Sequence, residues 1–135
     1  MERILCDTST VSALLRDAHR QHLANHGAAV KLISIVTAAE LRAGAVIANW
    51  GERRRTDLER SIKAFPQVPI DEETTFRWAE LRGSCRKAGV AVGDNDLWIA
   101  ATAVRHGMPV ASLDDDFARI PGLELIDASG AVRST

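Results

Sequence analysis

Short apolar runs alternate with longer amphipathic segments along this chain of 135 residues. Runs rich in β-branched and other apolar residues predict buried strands at 3–6, 31–36 and 109–112, and the piece at 68–70 is short and extended. Residues 123–126 predict a final edge strand, and we expect the last few residues after it to be loose. The predicted strands are short and widely separated along the chain.

Helical spacing of apolar residues fills the segments between these strands. The predicted helices cover residues 9–26 (with a break), 37–48, 52–64, 72–88 and 94–106. Three of them end at glycines, which are frequent just after a helix: Gly27, Gly89 and Gly107.

Polar residues mark the start of two of these helices. Thr37 is expected to cap the helix at 37–48, with Glu40 three residues later as its capping-box partner. Asp94 is expected to cap the last helix, because its carboxylate can accept a bond from an early backbone N–H. The last helix is apolar almost all round, which predicts that it is buried in the core.

The alternation of strands and helices predicts an α/β fold with a parallel sheet and right-handed crossover helices. Residues 1–135 have the usual size of a single domain. No apolar stretch approaches the roughly 20 residues that span a bilayer. The first residues, MERILCDTST, show no secretory signal, so a cytoplasmic protein is expected.

Five acidic residues stand at the edges of apolar segments: Asp7, Glu40, Asp96, Asp114 and Asp116. In such sheets the ligand site lies outside the carboxyl ends of the strands. Asp7, Asp114 and Asp116 follow strand-like runs, whereas Glu40 and Asp96 lie early in helices that can face the same edge. Converging carboxylates repel one another unless a cation neutralises them. The pattern therefore points to a divalent metal and to chemistry on phosphate.

The net charge of −1 argues by itself against a general binder of polyanions. With the five acids set apart as metal ligands, the 17 basic residues outnumber the other 13 of the 18 acidic ones. Basic residues bunch at Arg53, Arg54 and Arg55, at Arg60 and Lys63, and at Arg82, Arg86 and Lys87. A basic surface around an acidic site suits a phosphodiester chain, although each cluster alone is more typical of a solvated helix face.

The cysteines and histidines suggest no further chemistry. Cys6 and Cys85 lack metal-finger spacing and are expected to be free thiols, with a disulfide left open. The four histidines lie in helical segments and are expected on the surface, so none is needed as a catalytic base: His19, His22, His26 and His106.

Four blocks of the sequence resemble the PIN-domain ribonucleases: ILCDTST, SIVTAAELRAG, DNDLWIAATA and VASLDDDF. Among these the chain is most similar to the VapC-type toxins of type II toxin–antitoxin pairs, and the likeness covers nearly its whole length. It implies a three-layer α/β/α fold around a central parallel sheet. It also implies a metal-dependent endoribonuclease that hydrolyses RNA with a metal-activated water, leaving a 5′-phosphate and a 3′-hydroxyl.

The resemblance also implies a role for each matched residue. Asp7, Glu40, Asp96 and Asp114 match the family's catalytic acids. The first three are expected to hold the main ion, which is Mg²⁺ with Mn²⁺ as a substitute. Asp114 and Asp116 would serve a second ion or the attacking water.

Hydroxyl residues accompany these acids in the family pattern. Thr8, Ser9 and Ser112 match residues that position carboxylates, water or substrate, and Ser112 stands where Thr is common. Two further acids, Asp94 and Asp115, are interpreted as a helix cap and a solvated neighbour.

Partners follow from the same resemblance. VapC-type toxins usually form homodimers and are neutralised by a small cognate antitoxin, which covers the acidic site and binds operator DNA on behalf of the complex. Val11, Leu14 and Leu15 could supply an antitoxin contact, or equally belong to the core. No membrane partner is expected.

Three other functions compete with the nuclease for this pattern of acids. A phosphatase with an aspartyl nucleophile would need a second Asp where Ser9 stands. A phosphoacceptor domain would need an acidic pair before Asp7. A non-catalytic PIN-like module acting through partner binding stays open, as does the identity of the RNA.

Overall fold

The computed structural model describes residues 2–16 and 20–135 of the chain. Its strands are β1 Arg3–Cys6, β2 Val30–Ser34, β3 Gln67–Val68, β4 Val110–Ala111, β5 Glu124–Ile126 and β6 Val132–Ser134. Its α-helices are α1 Thr8–Arg16, α2 Ile35–Ile47, α3 Glu52–Lys63, α4 Glu72–Ala88 and α5 Asp94–His106. Two 3₁₀ helices cover Arg20–His26 and Asp115–Arg119.

The strands form one sheet in the order β3-β2-β1-β4-β5-β6. Every neighbouring pair is parallel except β5 and β6. The predicted parallel sheet is therefore confirmed, with an antiparallel strand added at one edge. Because β1 pairs with both β2 and β4 in the same direction, the carboxyl ends of these three strands meet at one edge.

Alternation along β1 divides the core between the two faces of the sheet. Leu5 packs in a core that includes residues of α4 and α5. Its neighbours Ile4 and Cys6 point the other way, into a core that includes residues of α1, α2 and α3. Two helix layers thus enclose the sheet, and the expected three-layer α/β/α fold is confirmed.

The two helices of the first core have the predicted bounds. α4 and α5 end at Gly89 and Gly107, both in the left-handed conformation with φ of 69° and 64°. A side chain at such a backbone angle is strained, which explains glycine at these two positions. The middle of α5 is buried, from Leu97 to Ala103 except for the partly buried Trp98, as its apolar sequence predicted.

Both predicted helix caps are wrong. Ser34, not Thr37, caps α2: its Oγ accepts from the backbone N–H of Val36 at 2.9 Å. The β-branched residues Ile35 and Val36 predict a continuation of the strand, but they form the first turn of α2. At α5 the cap is Gly93, and Asp94 is the first helical residue, paired with Arg82 at 2.6 Å.

The carboxyl-terminal end also differs from its prediction. β5 is not an edge strand, because β6 pairs with it antiparallel after a turn that contains Gly130 at a φ of 84°. The last residues are not loose either, since the Thr135 N–H donates to the Leu123 carbonyl at 2.8 Å.

The structure shows whether the two cysteines are bonded and how exposed two of the four histidines are. Cys6 and Cys85 are free and buried, one in each core. The His26 side chain is only 10% exposed, which contradicts its surface assignment, whereas His106 is partly exposed. The side chains of His19 and His22 lie outside the described part of the chain.

In residues 2–16 and 20–135, no helix has both the length and the apolar character needed to cross a membrane.

Candidate active site

Asp7 lies where β1 leaves the sheet, and the residue is only 4% exposed. Three donors hold it: the Ser112 hydroxyl at 2.6 Å, the Thr10 backbone N–H at 2.8 Å and the Ser9 hydroxyl at 2.8 Å. Burial raises the pKa of Asp7, whereas these hydrogen bonds oppose the rise. A buried carboxylate is thus fixed in one orientation.

The start of α1 explains why Asp7 is so firmly held. Asp7 precedes the first residue of α1, and its side chain accepts from a backbone N–H three residues on, as an N-cap does. The Thr10 hydroxyl donates to the Ala111 carbonyl at 2.8 Å, which ties α1 to β4. Thr10 was missed from the sequence, although Asp before a helix is a signal that predicts its N–H contact.

Glu40 belongs to α2 and is partly buried. Its Oε1 accepts from the Thr8 hydroxyl at 2.6 Å, and its Oε2 lies 3.5 Å from the Asn95 amide nitrogen. One carboxylate therefore connects α1, α2 and α5. Asn95 was not predicted, and its place beside Asp96 is the only sequence feature that could have indicated it.

The segment after β4 carries two further acids. The Asp114 backbone N–H donates to the Ser112 hydroxyl at 2.9 Å, and the Asp114 carboxylate caps the following 3₁₀ helix at the Asp116 N–H. The Asp116 carboxylate pairs with Arg119 at 2.9 Å. Asp115 is exposed, as expected.

Asp96 lies in the first turn of α5 and shows that the acids converge. Its pKa is raised to about 6, first by burial and then by the four other carboxylates: Glu40, Asp114, Asp116 and Asp7. Only nearby charges have such an effect. The other four acids predicted from the sequence therefore lie close enough to Asp96, at the carboxyl edge of the sheet, to oppose its ionisation.

A divalent cation fits this set of ligands, since oxygen atoms are what Mg²⁺ and Mn²⁺ prefer. Within the described ranges, however, no three His, Cys, Asp or Glu side chains form a group able to hold an ion by themselves. Mg²⁺ usually binds through one or two carboxylates, several waters and substrate phosphates. The open arrangement of the acids agrees with that mode of binding.

Comparison with known proteins decides the family. The model described as the PIN domain matches residues 4–123. This chain belongs to the PIN-domain family. Its relatives include Ribonuclease VapC4 of Mycobacterium tuberculosis, 40% identical over 70% of this chain and 74% of the relative. The plasmid stability protein StbB of Pseudomonas syringae is 34% identical over 92% of this chain and 96% of its own.

Solved structures agree with the sequence comparison. The DNA-bound VapBC structure from Salmonella typhimurium contains a chain with a TM-score of 0.81 and 26% identity, covering 95% of this PIN domain and 99% of that chain. The predicted likeness to VapC-type proteins is confirmed. Membership of the PIN family also decides against the phosphatase and the phosphoacceptor domain.

Proposed function

We propose that this PIN domain is a metal-dependent endoribonuclease, the toxic component of a type II toxin–antitoxin pair. The main support is the convergence of acidic side chains held by hydroxyl and backbone donors at the carboxyl edge of the sheet, where burial and then four other carboxylates raise the pKa of Asp96. Acids held close together lower the stability of the fold, and ionisable groups perturbed in this way concentrate at functional sites. VapC relatives named as ribonucleases supply the reaction class.

The proposed ligands of the main ion are Asp7, Glu40 and Asp96, which would bind it partly through waters because no three described acids form a complete site by themselves. Asp114 and Asp116 are proposed for a second ion or a water. The ion is Mg²⁺, with Mn²⁺ as a substitute. Asp116 is the weakest of the five candidates, because Arg119 already holds its carboxylate.

When bound, the ion supplies charge neutralisation at the phosphate and increases the acidity of a water. The chain supplies orientation. Ser112 and Ser9 fix both oxygens of Asp7, and Thr8 fixes Glu40. Carboxylates held in this way need little rearrangement when RNA binds. The expected products carry a 5′-phosphate and a 3′-hydroxyl.

The proposed partners are RNA as substrate, a small cognate antitoxin and a second copy of the chain. DNA would be contacted only through the antitoxin, in agreement with VapBC structures bound to DNA. Of the three apolar residues considered for the antitoxin, Val11 is fully buried and is excluded, whereas Leu15 is 43% exposed. We further propose that residues 1–135 act as one domain in the cytoplasm, where RNA is available.

The test is RNA cleavage by the purified protein with Mg²⁺, with Mn²⁺ and with a chelator. We expect the change Asp96→Asn to reduce cleavage by about 10²-fold or more, the size of effect seen when a preorganised catalytic contact is removed. Asp94→Asn is the matched control, because Asp94 lies on the same helix but pairs with Arg82 outside the acid cluster.

Equal activity of wild type and Asp96→Asn would contradict the proposed site. A folded protein that neither cuts RNA nor binds either ion by calorimetry would instead support the second candidate, a non-catalytic PIN-like binding module.

A further inference from the structure

A groove of about 500 Å³ opens beside the acid cluster, between α1 and the pair α2 and α3. Thr8 and Glu40 line it, so the groove is continuous with the site described above. Arg16 and Arg54 also line it. Its volume lies in the range of pockets that hold small ligands.

The guanidinium of Arg54 lies over the indole ring of Trp50. Its guanidinium carbon lies 3.9 Å from the centre of the Trp50 ring. Trp50 is fixed through its backbone, whose N–H donates to Ala45 at 3.0 Å and whose carbonyl accepts from Arg55 at 2.8 Å. Arg54 has no carboxylate partner among the described residues, in contrast to Arg42, which is paired with Glu59 at 2.9 Å. Within the described part of the chain, its charge is thus not compensated by an ion pair.

The rest of the lining is apolar, from residues such as Leu41, Leu58 and Ala45. A groove that combines cations, an aromatic ring and apolar walls suits a ligand with negative charges and flat apolar groups. Single-stranded RNA has both, since its phosphates bind Arg and its unpaired bases stack on aromatic rings and guanidinium planes. Bases in a duplex are paired and stacked, so they cannot enter such a groove.

We infer that this groove binds the unpaired nucleotides next to the scissile bond, with Arg54 and Arg16 at their phosphates and the Trp50–Arg54 stack supporting a base. The inference rests on the proposed function, because the acid cluster fixes where the scissile phosphate lies. The groove positions the substrate, so its loss raises KM more than it lowers kcat.

The open space next to Gly44 allows a test of the groove in which no existing contact is removed. Gly44 lies inside α2 and lines the groove, and a Cβ added there meets no atom within 4 Å. Gly44→Leu would fill the groove and also favour the helix, because Leu has a higher helix propensity than Gly. A folded protein with a blocked groove is the expected result.

The experiment measures binding of a fluorescent 12-nucleotide RNA of mixed sequence and low structure, in chelator, by anisotropy. The variants are Arg54→Ala, Gly44→Leu and, as the matched control, Arg53→Ala. Arg53 is the exposed neighbour of Arg54 on α3 and does not line the groove. We expect about tenfold weaker binding for the first two variants, the size of one lost stacking or phosphate contact, and no change for the control. Thermal unfolding checks that all three are folded.

The outcomes separate this inference from the proposed function. Unchanged binding and an unchanged KM in both groove variants would overturn the groove while leaving metal-dependent cleavage standing. RNA binding that is weakened in Arg54→Ala and Gly44→Leu, in a protein that cuts nothing, would support the groove and contradict the nuclease. If wild-type protein binds an acidic or apolar peptide in this groove but no RNA, the inference fails and the groove is a peptide site.

Discussion

Two aspartates at the starts of two packed helices, α4 and α5, have opposite electrostatic surroundings. Asp71 caps α4, accepts from the Thr74 N–H at 2.9 Å and pairs with Arg105 at 3.0 Å, and these contacts hold its pKa well below the usual range. Asp96 lies in the first turn of α5, which packs against α4, and its pKa is raised to about 6. Both carboxylates benefit from a helix dipole.

The position at the start of a helix therefore does not decide whether an aspartate stabilises the fold. The charged and polar groups around its carboxylate do. Asp71 meets a guanidinium and hydroxyl donors, so its ionised form stabilises the fold. Asp96 meets burial and four like charges, so its ionised form destabilises the fold until a cation arrives. Strongly perturbed carboxylates of the second kind concentrate at functional sites.

The largest expected effect is a gain of stability in Asp96→Asn. In chelator at pH 8 we expect the free energy of unfolding of this variant to exceed that of wild type by about 1–3 kcal/mol, because the substitution removes a repelled charge. The folded pKa of Asp96 exceeds its unfolded value, so the penalty is complete above about pH 6 and disappears below 3.8, the ordinary pKa of an aspartate. Urea unfolding at pH 8 and pH 3.5 measures both ends of this window.

Asp71→Ala is the contrasting variant, since it removes a helix cap and an ion pair and should lower the melting temperature at pH 8.

Mg²⁺ should raise the melting temperature of wild type and leave that of Asp96→Asn nearly unchanged. Destabilisation by Asp96→Asn in chelator would show that the two aspartates do not differ as described.

A change of similar size but opposite sign is expected when Asp7 loses one of its hydrogen-bond donors. Ser112→Ala removes the 2.6 Å hydrogen bond to a carboxylate that is 4% exposed. We expect a loss of about 1–3 kcal/mol at pH 7, the cost of leaving a buried charged acceptor short of a partner. Ser84→Ala, at an exposed position of α4, is the control in chemical unfolding. Equal stability of the two variants would show that Ser9 and Thr10 suffice.

The smallest effect concerns a base, His26, whose side chain is 10% exposed. Its Nδ1 lies 2.9 Å from the Glu2 carboxylate and its Nε2 lies 3.0 Å from the Gly130 carbonyl. Both partners are acceptors, so the charged ring satisfies both. The Gly130 carbonyl is the main cause that raises the pKa of His26, and Glu2 adds to the rise, whereas burial and, to a lesser extent, Lys31 oppose it.

The pH dependence of this contact has a definite sign. Because the folded pKa is the higher one, the stabilisation is complete below about pH 6.5 and declines as pH rises through the folded value. His26→Gln should therefore cost about 0.5–1.5 kcal/mol at pH 5.5 and less at pH 9. His106→Gln is the contrasting variant in the same unfolding series, since burial lowers the pKa of His106. A cost for His26→Gln that grows with pH would contradict the charged ring.

The sequence predicts most of this fold where the local signals agree. α4 and α5 have the predicted bounds because a helical period ends at a glycine in each. The border between β2 and α2 was misplaced because Ile35 and Val36 have strand propensity, yet Ser34 caps a helix there. β6 was missed because its sequence, Val132–Ser134, is short and mostly polar, and pairing with β5 rather than propensity makes it a strand.

The acids of the site could be located from the sequence because each follows or precedes an apolar run. Their supporting contacts were harder to predict. The contact between Asn95 and Glu40 spans 55 positions along the chain. Such a pair depends on how α2 and α5 pack, which no local pattern contains.

The two cysteines give each layer of the molecule its own reporter. Cys6 and Cys85 occupy different cores on opposite sides of the sheet, and burial raises the pKa of the Cys6 thiol to about 12. A buried thiol reacts only when its surroundings open. The rate at which an alkylating reagent modifies each cysteine would therefore measure, separately and without any engineered label, how often each helix layer lifts from the sheet.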